Sequence, residues 1–156
     1  MTIKTLEDLF NHDLSDIYSA EKQIKRALPK LARAASDEQL VAAFRQHLEE
    51  TEGQIERLDQ LAESTEGVRI QRMKCHALEG LAEEAQEIIE SVAAGPVRDA
   101  GLIGAAQKVE HYEIATYGTL HAMALKLGYQ QAAQLLADTL AEEKATDKKL
   151  TAIATQ

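Results

Sequence analysis

The chain has 156 residues, of which 45% are hydrophobic and 28% are charged, and its formal net charge is -9 at pH 7. This length suffices for a core without staples, so we expect residues 1–156 to form a single domain. The negative charge argues against nucleic acid as a partner, because that affinity comes mainly from cationic contacts to phosphates. The sequence has no apolar run long enough for a membrane span and no signal-peptide core, and its one cysteine, Cys75, fits a reducing compartment. Together these features predict a soluble cytoplasmic protein without a membrane partner.

Two helices are predicted before residue 68. Apolar residues spaced three and four positions apart predict a first helix over about residues 5–35, kinked or weakened near its end by Pro29. The stretch SDEQ at 36–39 has the pattern of a capping box, with Ser36 as the N-cap of a second helix. That helix is expected to end near Gly67, which suits a left-handed cap.

Three more helices are predicted in the rest of the chain. The third covers about residues 70–93 and stops at the stretch AAGP. Pro96 is suited to the first turn of the fourth helix, which runs to Leu127 and is capped by Gly128. The fifth covers about residues 130–154. No stretch alternates as a half-buried strand would, so the fold class is all-α.

The lengths of these helices predict their arrangement. Helices one, two, four and five are matched in length and can pack side by side as a bundle. If helices two and four run in the same direction, the chain between them must travel the length of the bundle. Residues 68–95 are long enough to do this as a helix on the outside. The predicted fold is a ferritin-like four-helix bundle with an additional crossover helix between bundle helices two and three.

Each bundle helix carries a polar interruption near the middle of its apolar face. Since the four helices are matched in length, these interruptions are expected at one level of the bundle. The carboxylates at this level would be Glu21, Glu50, Glu110, Glu113, Glu143 and Asp147, with His47 and Gln54 nearby.

Six carboxylates in one interior are not tenable as ionised groups without cations, because each buried charge costs several kcal/mol and the charges repel one another. Two divalent cations would neutralise much of this charge. Ligation by many oxygens and at most one imidazole suits iron or manganese better than zinc. The pattern therefore predicts a dimetal centre with two iron ions, or alternatively manganese. Glu50 and Glu113 are the candidates for bridging ligands.

Each of these residues also has a simpler interpretation. A single Glu on a helix face is usually solvated, and only the agreement of four helices favours a site. His47 and Gln54 are either ligands or hydrogen-bonded neighbours that orient a ligand. Tyr18 and Tyr117 flank the acidic level and could be buried aromatics whose hydroxyls bind a carboxylate.

Other chemistry-bearing residues give weaker signals. Cys75 and His76 are adjacent, so on a helix they point to different faces and do not form a metal site. His12, His111 and His121 show no ligand spacing and are expected to be superficial or structural.

Four stretches carry a family resemblance: YSAEKQI, HLEETEGQIERL, KVEHYEIATYGTL and LAEEKATDKKL. They resemble, in order and spacing, motifs of the YciF/YciE family of bacterial ferritin-like proteins, over nearly the whole chain. The resemblance implies a rubrerythrin-like four-helix bundle that is often a dimer and is associated with general or osmotic stress. The dimetal ligands that it implies fall on the same six carboxylates.

The sequence departs from the wider superfamily in one respect. Ferritin-like dimetal proteins usually carry Glu-x-x-His on each of two helices, whereas this chain contains no such motif. Two functions therefore stay open. One is a redox enzyme of oxidase, peroxidase or ferroxidase type, in which a nearby tyrosine donates an electron or a hydrogen bond. The other is a non-enzymatic stress or interaction protein with a structural metal or none. Sequestration of metal without redox chemistry is a third, weaker alternative.

Overall fold

The computed structural model describes residues 2–156, and in this range it contains five α-helices and no strand. The helices are α1 (Leu6–Ala34), α2 (Glu38–Ser64), α3 (His76–Ser91), α4 (Pro96–Leu127) and α5 (Gln130–Ala154). The predicted all-α class is therefore confirmed. None of the helices in this range is long and apolar enough to cross a membrane.

Four of the helices form the bundle. α1 packs against α2 and α4, and both α2 and α4 pack against α5, so α2 and α4 stand at opposite corners of the ring. α3 lies outside this ring against α1 and α4, as expected for a crossover helix. Apolar layers fill the bundle on both sides of its middle: on α1, for example, Ile17 and Ile24 are buried on either side of Glu21. The fold thus places the mid-helix residues in the interior.

The start of α2 differs from the prediction. Asp37, not Ser36, is the N-cap, and its carboxylate accepts a hydrogen bond from the backbone N–H of Leu40 at 3.0 Å. The backbone N–H groups of Ser36 and Asp37 both donate to the carboxylate of Asp99 on α4, each at 2.8 Å. The predicted capping box is wrong because a residue from another helix binds these two backbone donors.

The crossover helix is shorter than predicted. α3 begins at His76, and the preceding residues 70–75 are not helical. The hydroxyls of Ser15 and Ser19 on α1 accept hydrogen bonds from the backbone N–H groups of Gln71 (2.8 Å) and Cys75 (3.1 Å). Side chains that bind backbone groups in this way compete with helix formation, which explains the later start of α3.

The helix starts, ends and kinks predicted from proline and glycine are found in part. Pro96 opens α4, and Gly128 ends it with φ 78 in the left-handed region, both as predicted. Pro29 lies inside α1, which continues to Ala34. Gly67 also has a left-handed φ of 83, but it lies in a turn beyond the end of α2 at Ser64.

Candidate metal centre

The middle of the bundle holds a cluster of buried acidic side chains. All four bundle helices contribute, and each residue has at most 3% of its surface exposed: Glu21 from α1, His47 from α2, Glu110 and Glu113 from α4, and Glu143 from α5. One ligand-type atom from each of His47, Glu110, Glu113 and Glu143 lies within 4.8 Å of the other three. The three- and four-residue spacings on the helices produce this convergence, because they keep these positions on the inward face.

These carboxylates lack the partners that buried charges normally have. Within residues 2–156, neither carboxylate oxygen of Glu21, Glu110 or Glu113 has a hydrogen-bond partner, and the same is true of one oxygen of Glu143. A buried polar group without a partner costs about 1–3 kcal/mol, and a charged group costs more. The chain therefore supplies a cage of acceptors without the donors that would satisfy them.

The pKa values of the cluster reflect this environment. Burial is the main cause that raises the pKa of Glu21 to about 7 and of Glu110 and Glu143 to about 8. Burial also raises the pKa of Glu113 well above the ordinary range, and the neighbouring Glu143 and Glu21 carboxylates raise it further. In the absence of a cation, the cluster therefore holds protons at neutral pH. A bound metal would compete with those protons.

His47 provides the imidazole of the cluster. Its Nε2 lies 2.8 Å from Glu110 Oε1 and 4.0 Å from Glu113 Oε1. The shorter distance is within hydrogen-bonding range, but the two groups are not aligned for a hydrogen bond. Within residues 2–156, His47 Nε2 has no hydrogen-bond partner. The ring therefore places one nitrogen among the carboxylate oxygens, and imidazole nitrogen is a common metal ligand. The structure thus places His47 at the centre itself, where the sequence left its role open.

Gln54 orients one carboxylate of the cluster. Its side-chain N–H donates to Glu143 Oε1 at 2.6 Å and to Glu142 Oε1 at 3.1 Å. Arg57 in turn holds Glu142 by two hydrogen bonds of 2.7 and 2.8 Å. These contacts hold the Glu143 side chain through its Oε1. Its Oε2 has no hydrogen-bond partner within residues 2–156. Sequence reasoning missed Arg57 and Glu142, although Arg57 follows Gln54 at helical spacing and Glu142 precedes Glu143.

Two of the six predicted ligands lie at the edge of the cluster. Glu50 is half-buried, and its carboxylate accepts hydrogen bonds from Thr146 Oγ1 at 3.1 Å and Gln46 Nε2 at 3.3 Å. Asp147 is 22% exposed, and its Oδ1 lies 3.2 Å from Nε2 of the exposed His111. Glu50 therefore has hydrogen-bond partners of its own at the edge, whereas the buried Oδ1 of Asp147 has no hydrogen-bond partner within residues 2–156. The sequence predicted both residues among the central ligands.

The tyrosines are placed differently from one another. Tyr117 is fully buried beside Glu21 and Glu113, and burial, followed by these carboxylates, raises the pKa of its hydroxyl well above the ordinary value. Its hydroxyl is not aligned for a hydrogen bond to any group in residues 2–156. Tyr18 is half-buried, and its pKa is raised by burial and by Asp59 rather than by the cluster. Only Tyr117 thus lies next to the carboxylates.

Comparison with known proteins shows where this bundle belongs. Residues 5–156 match the family described as "Domain of unknown function (DUF892)". The chain belongs to this family. Over 154 residues it is 65% identical to Protein YciF of Escherichia coli (strain K12), an alignment that covers 99% of this chain and 93% of that protein. The resemblance to the YciF/YciE family is therefore confirmed.

Solved structures of similar proteins support the fold. The crystal structure of the E. coli stress protein YciF matches with a TM-score of 0.96, covering 98% of this chain and 96% of that one. YcfI from Rhodopseudomonas palustris matches with a TM-score of 0.91 at 46% identity, covering 96% and 94% of the two chains. A protein from Xanthomonas campestris matches with a TM-score of 0.76 at 22% identity, covering 97% and 92%, and supports the fold alone.

Proposed function

We propose that this chain is a ferritin-like metal-binding protein whose buried acidic cluster holds a dimetal centre, with iron as the metal and manganese as the alternative. The observation that carries the proposal is the set of buried carboxylate oxygens that accept no hydrogen bond within residues 2–156. Without a metal, protons would have to quench this charge, and the pKa values of Glu21, Glu110 and Glu143 are raised to about 7 to 8, so a cation would compete with protons at this site.

The charge of the cluster supports two divalent ions. Its four buried carboxylates carry four negative charges when ionised, and two divalent cations carry four positive charges. Hard oxygen donors with a single imidazole suit iron and manganese. The ligands would come from Glu21, His47, Glu110, Glu113 and Glu143, and Glu50 and Asp147 would complete the set from the edge.

We further propose that the function is protection against stress through redox chemistry at this centre. The 65% identity to the protein described as the E. coli stress protein YciF supports the link to stress. When bound, a redox-active metal would supply electron transfer with oxygen or peroxide, or the oxidation of Fe(II). Within the chain, Tyr117 holds a phenolic proton beside Glu21 and Glu113, and Gln54 keeps Glu143 in place. A homodimer and a cytoplasmic location belong to the same proposal.

A second candidate function is a structural metal in a non-enzymatic protein. The burial of all four cluster carboxylates favours it, since a redox centre needs a route for small reactants. In that case the metal would be saturated by protein ligands and would act by stabilising the bundle. Reaction of the metal-loaded protein with peroxide separates the two candidates.

The first experiment is metal analysis of protein purified without chelator or nickel, beside the double variant Glu110→Gln/Glu113→Gln. Glu49→Gln, an exposed carboxylate on α2, is the matched control. We expect about two iron or manganese ions per chain in the wild type and in the control, and loss of both in the double variant. A wild-type protein that is free of metal and also takes up no Fe(II) under anaerobic conditions contradicts the proposal.

A further inference from the structure

A small cavity adjoins the candidate metal centre between α2 and α5. Its volume is about 70 Å³, and its lining includes Gln46, His47, Glu50, Ala145, Thr146 and Lys149. A space of this size holds a few water molecules and is far below the several hundred Å³ of a pocket for an organic ligand. It therefore has room for a partly hydrated metal ion.

His47 forms a wall shared by this cavity and the acidic cluster. It is 3% exposed, and its Nε2, which has no hydrogen-bond partner within residues 2–156, lies 2.8 Å from Glu110. A group that passes His47 from the cavity side therefore meets Glu110 next. One candidate ligand, His47, thus separates the cavity from the cluster.

Glu50 presents a carboxylate inside this cavity. Thr146 and Gln46 donate hydrogen bonds of 3.1 and 3.3 Å to its two oxygens, and neither partner carries a charge. Glu50 and His47 are three residues apart on α2 and so lie on the same face. A cation that enters the cavity would find first a half-exposed carboxylate and then a buried imidazole.

A contact between two exposed side chains joins the two walls of the cavity. Lys149 on α5 donates a hydrogen bond of 2.6 Å to the side-chain oxygen of Gln46 on α2, and both residues are exposed. An exposed contact between two flexible side chains is weak, so it opens readily. The ammonium group also opposes the approach of another cation.

We propose that this access cavity admits divalent cations to the metal centre, with Glu50 as the carboxylate that first receives them and the Gln46–Lys149 contact as the lid. The proposal rests on the proposed function, because it needs a metal centre to fill. The competing route is the α4–α5 side of the bundle, where His111 and Asp147 face each other at 3.2 Å.

The test is the rate of Mn(II) uptake by the metal-free protein, followed by loss of the electron paramagnetic resonance signal of free Mn(II). Ala145→Leu places a larger side chain in the cavity from an exposed helix position, and Lys149→Ala removes the lid. The matched controls are Ala141→Leu and Lys148→Ala, exposed positions on α5 outside the cavity. We expect Ala145→Leu to slow uptake about tenfold, Lys149→Ala to accelerate it several-fold, and the controls to match the wild type. The final amount bound should not change.

Wild-type uptake rates in both Ala145→Leu and Lys149→Ala would overturn the proposal. So would a His111→Ala variant that slows uptake while Ala145→Leu does not, because the ions would then enter between α4 and α5. These outcomes leave the proposed function intact, since the wild type still binds metal. A wild type that never binds Mn(II) or Fe(II) at equilibrium would instead refute the metal centre itself, and the access route with it.

Discussion

The bundle contains two polar clusters, and they differ in whether their buried polar atoms have hydrogen-bond partners within the protein. Where α1 meets α3 and α4, the Tyr112 hydroxyl donates to Asp16 and lies 3.3 Å from Cys75 Sγ, and Ser15 and Ser19 accept backbone hydrogen bonds. Within residues 2–156, no buried side-chain atom of this Tyr112 cluster lacks a partner, whereas most oxygens of the acidic cluster do. In the first cluster, protein groups supply the hydrogen-bond partners, and two of these hydrogen bonds hold the segment before α3 against α1. The second leaves most of its carboxylate oxygens without a hydrogen-bond partner in residues 2–156.

The largest expected effect that sharpens this comparison is stabilisation by metal. Saturating metal-free protein with Fe(II) or Mn(II) at about a thousand times the dissociation constant should add about 4 kcal/mol to the free energy of unfolding. The gain should vanish in Glu110→Gln/Glu113→Gln and persist in Tyr112→Phe. Anaerobic chemical denaturation with and without the metal measures it. Equal stabilisation of the double variant would mean that the ions bind elsewhere.

The next effect is the pH dependence of the metal-free protein. The pKa of Glu21 is raised to about 7 and those of Glu110 and Glu143 to about 8, so between about pH 4.5 and 8 the folded state binds more protons than the unfolded state. This contribution to stability is complete below the ordinary carboxyl pKa, decreases as the pH rises, and is lost once the pH has passed the raised values of about 7 to 8. We expect the free energy of unfolding to decrease over this range, measured by denaturation at a series of pH values. Stability that rises over this range would contradict the account.

A smaller effect should follow from giving the acidic cluster a hydrogen-bond donor. Glu113→Gln keeps the shape of the side chain and adds an amide N–H that can donate to the neighbouring carboxylate oxygens, so the metal-free variant should be more stable than wild type by about 1–2 kcal/mol. The same substitution should abolish tight metal binding. Denaturation at pH 8, with Glu49→Gln as the control, tests the sign. A metal-free variant that is less stable than wild type would indicate that Glu113 is satisfied within the protein.

The smallest effect belongs to the satisfied cluster. Tyr112→Phe removes a hydroxyl that contacts Asp16 and Cys75, so it should lower stability by about 1 kcal/mol, to the same extent with and without metal. The measurement is the pair of unfolding curves. A change in metal content or uptake in this variant would mean that the Tyr112 cluster takes part in the centre after all.

The sequence predicts the bundle and the inner carboxylates well because both depend on local periodicity. Glu21, Glu110, Glu113 and Glu143 interrupt apolar faces, and a residue on such a face turns inward whatever its partners are. The sequence determines the rotation of α2 and α5 about their axes less well. His47 and Glu50 share one face of α2, but only His47 is fully buried. Spacing alone does not resolve that difference.

Contacts between distant parts of the chain account for the other differences. The start of α3 depends on Ser15 and Ser19, which bind the backbone of residues more than fifty positions away. The N-cap of α2 depends in the same way on Asp99 of α4. These hydrogen bonds form only after the helices pack, so no local pattern in the sequence indicates them.

The most direct test of the metal centre is anomalous diffraction from crystals of the protein loaded with Mn(II) or Fe(II). We expect two anomalous peaks among His47, Glu110, Glu113 and Glu143, and none at the Tyr112 cluster. Full loading without any peak between these four residues would contradict it, and the acidic cluster would then have to be held together by protons alone.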